Sequence, residues 1–138
     1  MTWIFYAFIS AAAAALTAIL AKVGVEGVPS TLATAIRTVV IVVFAWMMVL
    51  GLGEQSRLAT VSRRSLVFLI LSGAATGLSW LAYFRALQLG PASQVAPIDK
   101  LSLPLTIILA VLYLGEPLTW KLGIGVALMT AGAFLTIS

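Results

Sequence analysis

The sequence predicts an all-α membrane protein, a bundle of five transmembrane helices forming one domain. Three observations carry this. Hydrophobic residues make up 62% of the chain and charged residues only 9%, whereas about a quarter of a soluble domain is charged. The mean hydropathy is +1.17 over 138 residues, more apolar surface than a fold of this size can bury, so the solvent is lipid. Finally, the apolar sequence divides into five runs, 3–22, 30–51, 65–89, 92–114 and 118–137, each close to the ~20 residues that cross a hydrocarbon layer as a helix.

What is missing narrows the chemistry. The chain has no Cys and no His, which removes thiol nucleophiles, imidazole bases, disulfides and the usual zinc ligands. With four carboxylates in all, a membrane enzyme is a poor reading, and no metal or other cofactor is implied. No GxxxxGK[ST] loop is present, so nothing points to nucleotide hydrolysis. The net charge of +4 is scattered rather than gathered into a basic patch, which argues against nucleic acid. Polar residues are too sparse for an open channel.

Each run has its own logic. The first, Trp3 to Lys22, carries five consecutive alanines, Ala11 to Ala15, which favour helix and allow close helix contact. No basic residue precedes it, so it reads as a retained helix rather than a cleaved signal. Gly24 to Ser30 is a turn, and Ser30 or Thr31 is placed to cap the second run. That run holds Arg37, and the polar stretch from Gly53 to Arg64 follows it. In the third run Gly73 and Gly77 form a small-xxx-small pair suited to helix packing. Trp80, Tyr83, Phe84 and Arg85 close it, either as an interfacial aromatic belt with a snorkelling arginine or as the aromatic wall of a cavity. Gly90-Pro91 ends the third helix. Gly115-Glu116-Pro117 is a tight connection that makes the fourth and fifth runs antiparallel neighbours. Gly123, Gly125 and Gly132 give the fifth a packing surface.

The unusual stretch is 92–114. Asp99 and Lys100 stand side by side between Pro97 and Pro104. Ionisable groups within a spanning segment cost several kcal/mol and point to function by default. The flanking prolines remove backbone donors and predict a broken helix, the place where transporters build sites. Arg37 is seven residues after Ser30, and Asp99 seven after Ala92. Runs two and four start from the same membrane face, so both side chains lie about 10 Å deep and are candidates to pair. Lys100, rotated by about 100°, is expected to point elsewhere. An alternative is that these charges only lock helices together.

The run LAYFRALQLGPASQVAPIDKLSLPL, then LGEPLTWKLGIGVALMTAGAF, with AKVGVEGVPSTLATAIRTVVI upstream, resembles the EamA domain of the drug/metabolite transporter superfamily. The likeness spans the chain as one five-helix unit. The resemblance implies a half-transporter, since many relatives carry two such units inverted with respect to each other. It also implies a carrier energised without ATP hydrolysis.

The expected function is therefore a secondary transporter or exporter of small metabolites or drugs across the cytoplasmic (inner) membrane. It would act as a homodimer, parallel or antiparallel, or with a homologous five-helix partner. Asp99, Lys100, Arg37, Trp80, Tyr83 and Phe84 would form the substrate or ion site, with Pro97 and Pro104 breaking the helix. The competing expectation is a non-transporting membrane subunit whose buried charges serve assembly. With five spans, Arg57, Arg63, Arg64 and Lys121 share the N-terminal side, and Lys22 and Arg85 the other; this predicts a cytoplasmic N-terminus.

Overall fold

The computed structural model describes residues 2–136. Every regular element among them is helical. The order is α1 (Thr2–Gly24), α2 (Ser30–Gly51), a 3-10 helix (Glu54–Thr60), α3 (Arg63–Leu89), α4 (Ala92–Asp99), α5 (Ser102–Leu109), a π-helical turn (Ala110–Leu114) and α6 (Trp120–Leu135). Four stretches are long and apolar enough to cross a membrane: α1, α2, α3 and the broken segment Ala92–Leu114. The predicted fifth span is shorter. Its helix α6 has 16 residues, about 24 Å at 1.5 Å per residue, against a hydrocarbon core of about 30 Å. The predicted end of that span, Ile137, lies outside the described residues.

The chain resolves into two compact units, Leu20–Gln88 and the pair of segments Met1–Ile19 and Leu89–Ser138. In the Leu20–Gln88 unit, the end of α1, the start of α2 and the end of α3 are tied together. Gly27 takes a φ of +71° in the turn after α1, a conformation that favours glycine. The turn's carbonyls would be costly to leave unbonded where water is scarce. Gln88 meets that need: its Nε2 donates to Val28 O at 2.6 Å and Val25 O at 3.3 Å. Arg85 Nη1 donates to Gln88 Oε1 at 3.3 Å, and Lys22 Nζ donates to Leu87 O at 2.6 Å. Phe84 and Leu87, 2% and 0% exposed, are the most buried large side chains, and Val25 is buried as well.

Two local expectations are corrected in this unit. Neither Ser30 nor Thr31 caps α2. Pro29 is the N-cap, at φ −53° and ψ 136°, with no side-chain cap bond. The extended Pro29 starts the helix one residue earlier, and the hydroxyls are used inside it. Thr34 Oγ1 donates to Ser30 O and Thr38 Oγ1 to Thr34 O, each at 2.8 Å. This back-bonding hides hydroxyls that lipid cannot solvate. Gly73 and Gly77, in turn, seat no neighbouring helix: a Cβ added to either meets nothing within 4 Å. The polar stretch after α2 also holds more structure than a loop. Gly53 turns at φ +69° into the 3-10 helix. Ser62 Oγ accepts from Ser65 N at 3.0 Å, capping an α3 that starts at Arg63.

In the other unit, α6 packs back on α4 and α5, the predicted antiparallel hairpin. Gly115 at φ +69° closes the π-helical turn, and Glu116 N donates to Ala110 O at 3.3 Å. Thr119 Oγ1 then accepts from Leu122 N at 3.3 Å and caps α6. Pro104 and Ala133 are buried in this unit. Most other large apolar side chains are exposed, as lipid-facing side chains must be.

Replacing Gln88 with Leu keeps its bulk and strands the carbonyl of Val28, while Val25 O keeps its bond from Val28 N. Unfolding of the detergent-purified protein should show a loss of about 1–3 kcal/mol, the cost of an unsatisfied buried group. An unchanged stability would mean that the Val28 carbonyl finds another donor.

Candidate functional site

Two charged features stand out, one in each unit. The first is the helix break. Pro97 lies inside α4 and has no N–H to donate. The chain continues through 3-10-like bonds: Lys100 N donates to Ala96 O at 3.2 Å and to Pro97 O at 3.1 Å, and Leu101 N to Ile98 O at 2.9 Å. Pro104 cannot donate to Lys100 O, and Leu103 N does so instead, at 2.9 Å. The segment therefore changes pitch without unwinding: Asp99 ends α4, and Lys100 and Leu101 fall between α4 and α5. The predicted break by Pro97 and Pro104 is present.

At this break Lys100 Nζ is 3.2 Å from Asp99 Oδ2, an ion pair whose side chains are 55% and 34% exposed respectively. This corrects the expectation that Lys100 must point away from Asp99. A 100° offset separates neighbours on a regular helix, but here the helix has just ended. The four-carbon lysine stem is also long enough to turn back. In lipid such a pair reduces the cost of each charge and leaves carboxylate and ammonium positions open for a ligand or proton.

The second feature is an arginine on an aromatic wall. The Arg37 guanidinium lies 4.3 Å from the Trp80 ring centroid and 5.4 Å from that of Phe84. Trp80 and Phe84 share a face of α3, one turn apart. The Tyr83 ring lies 6.3 Å from that of Phe84, tilted by 44°. Phe84 is fully buried and cannot swing away, while Arg37, Trp80 and Tyr83 are half-buried. Trp80 and Phe84 thus lie together beside the Arg37 guanidinium. A cation over a ring gains about 0.5–2 kcal/mol, less than the several kcal/mol that a charge costs within the membrane.

The structure thus gives Asp99 and Arg37 each a neighbour within its own unit, Lys100 for one and Trp80 with Phe84 for the other. Depth counting could have found the second grouping. Arg37 is seven residues into α2, and Phe84 and Trp80 are five and nine residues before the end of α3. In an antiparallel pair, Arg37 then falls between the two rings. Lys22 and Gln88 carried no signal beyond polarity at a helix end. No group of acidic residues among the described residues could hold a metal.

A double-mutant cycle with Arg37→Gln and Trp80→Leu measures the stack. Thermal unfolding should give a coupling of about 0.5–2 kcal/mol. Additive losses would show that the two side chains do not interact.

The chain matches the EamA-like transporter family over residues 1–138. It is 52% identical over 134 residues to an "Uncharacterized transporter in cobO 3'region" of Sinorhizobium sp, covering 97% of this chain and 95% of that one. No solved structure matches it at a significant level. The apolar helices and these likenesses make it a multi-pass integral membrane protein, and the chain belongs to the EamA-like transporter family.

Proposed function

We propose that the protein is a secondary carrier of small metabolites or drugs in the cytoplasmic (inner) membrane, with its N-terminus in the cytoplasm. The observation that carries this reading is the Asp99–Lys100 pair, 3.2 Å apart at the break of a segment apolar enough to span. A broken helix puts charge in a place where a helix for structure alone needs none. Asp99 is the coupling residue, able to exchange its Lys100 contact for a proton or a cationic group. Arg37, Trp80, Tyr83 and Phe84 serve solute recognition.

The working form is a dimer of five-span units, with α6 crossing by local thinning of the bilayer and by Trp120 and Lys121 reaching to the interface. Gly125 and Gly132, seven residues apart on one side of α6, are the small residues a second copy would approach. The Arg57, Arg63 and Arg64 side is cytoplasmic. The competing reading, an assembly subunit, draws on the same ion pair acting as a lock between helix segments.

Flux of small metabolites and drugs into proteoliposomes decides between them, with a mass measurement on the same preparation counting two chains per particle. Asp99→Asn should keep the fold and the dimer and abolish flux. Normal flux through well-expressed Asp99→Asn protein, or no flux of any solute through the wild type, would favour the assembly reading.

A further inference from the structure

The basic side chains of the Leu20–Gln88 unit are not equivalent. Lys22 donates to the Leu87 carbonyl, and Arg85 to the Gln88 side chain. Arg57, Arg63 and Arg64 stand in or beside the polar stretch after α2. Arg37 lies within α2, over the faces of Trp80 and Phe84 and in electrostatic contact with Tyr83. The hydroxyls nearest to it along α2 are committed: Thr34 donates to Ser30 O and Thr38 to Thr34 O. The unit's only carboxylates, Glu26 and Glu54, stand in the turn before α2 and in the 3-10 helix after it.

Stacking uses the face of a guanidinium. Its five N–H donors lie in the plane and point out through the edge. The rings thus hold Arg37 in place and partly offset its charge while leaving the hydrogen-bonding edge available. A planar fork fixed in this way suits the two oxygens of a carboxylate or phosphate group. The half-buried Trp80 offers an apolar surface for whatever that group is attached to.

Resting on the carrier reading above, we propose that Arg37, Trp80 and Phe84 form an anion-recognition site. The solute is a small organic anion: its carboxylate or phosphate group binds the edge of the Arg37 guanidinium, and its apolar part lies against the half-buried Trp80, with Phe84 buried behind as support. Organic cations are rejected at this site by the like charge of Arg37.

The test uses the full chain in phosphatidylcholine nanodiscs with Trp3, Trp46 and Trp120 changed to Phe, so that Trp80 is the sole tryptophan. Hexanoate, hexyl phosphate and hexylammonium share a tail and differ in charge. The two anions should change Trp80 emission saturably, and hexylammonium should not. Arg37→Gln should weaken anion binding by about tenfold or more. Arg37→Lys, which keeps the charge and loses the fork, should fall between and serves if Arg37→Gln does not fold.

Equal binding of hexylammonium, an anion response that survives Arg37→Gln, or no response to either anion would overturn the proposal. So would an anion response seen only in the Asp99→Asn protein, which would make Asp99 the counter-charge of Arg37. A Trp80 change caused by phosphatidylglycerol in the disc, with no response to the soluble anions, would assign the site to lipid headgroups and overturn the solute proposal. Flux is measured separately on the same protein. Asp99-dependent flux without anion binding defeats this inference alone, and anion binding without flux of any solute defeats the carrier reading alone.

Discussion

A hydrocarbon solvent offers no hydrogen bonds, so this chain must satisfy its own polar groups or place them where water or a ligand can reach. That constraint accounts for much of the structure. Threonine hydroxyls fold back onto carbonyls one turn earlier in α2, α3, α5 and α6. Gln88 supplies donors to a turn that has none to spare. At the break, Leu103 N takes over the carbonyl that Pro104 cannot serve. Against this background, Asp99, Lys100 and Arg37, charged side chains well inside apolar segments, are the candidates for function.

The two charged features solve the same problem in different ways. Asp99 and Lys100 lower each other's cost by proximity, at the one place where the helix changes pitch. Arg37 is steadied by ring faces rather than by a carboxylate. An ion pair between adjacent residues can open and close with little movement of the backbone. A stacked arginine is held more rigidly, because Phe84 is buried and fixed on α3. Such a division, one labile charge and one fixed charge, suits a carrier that must both recognise a solute and respond to it.

Much of this was legible in the residues. Hydropathy and run length placed α1, α2, α3 and the broken fourth segment, and Pro97 with Pro104 placed the break. The rest depended on effects that periodicity does not encode. Lys100 was expected to diverge from Asp99 because a regular helix was extended through a point where it ends. The cap of α2 was assigned to Ser30 or Thr31, but Pro29 holds that position and no side chain caps the helix. The glycines of α3 were read as a packing site, but sequence spacing cannot say whether a neighbour is there. The Arg37–Trp80 stack was within reach, since counting depth from both ends of the α2–α3 pair brings them level.

The central claim is that the break around Asp99 faces water inside the membrane. The absence of native cysteine makes it directly measurable. Val95 lies one turn before Asp99 on its side of α4 and Ser102 opens α5 just past the break, whereas Val43, 52% exposed, lies near the middle of α2. In proteoliposomes, a membrane-impermeant maleimide should label Val95→Cys and Ser102→Cys and spare Val43→Cys. If Val95→Cys and Ser102→Cys resist labelling as fully as Val43→Cys, the break is sealed from water and the ion pair serves structure alone.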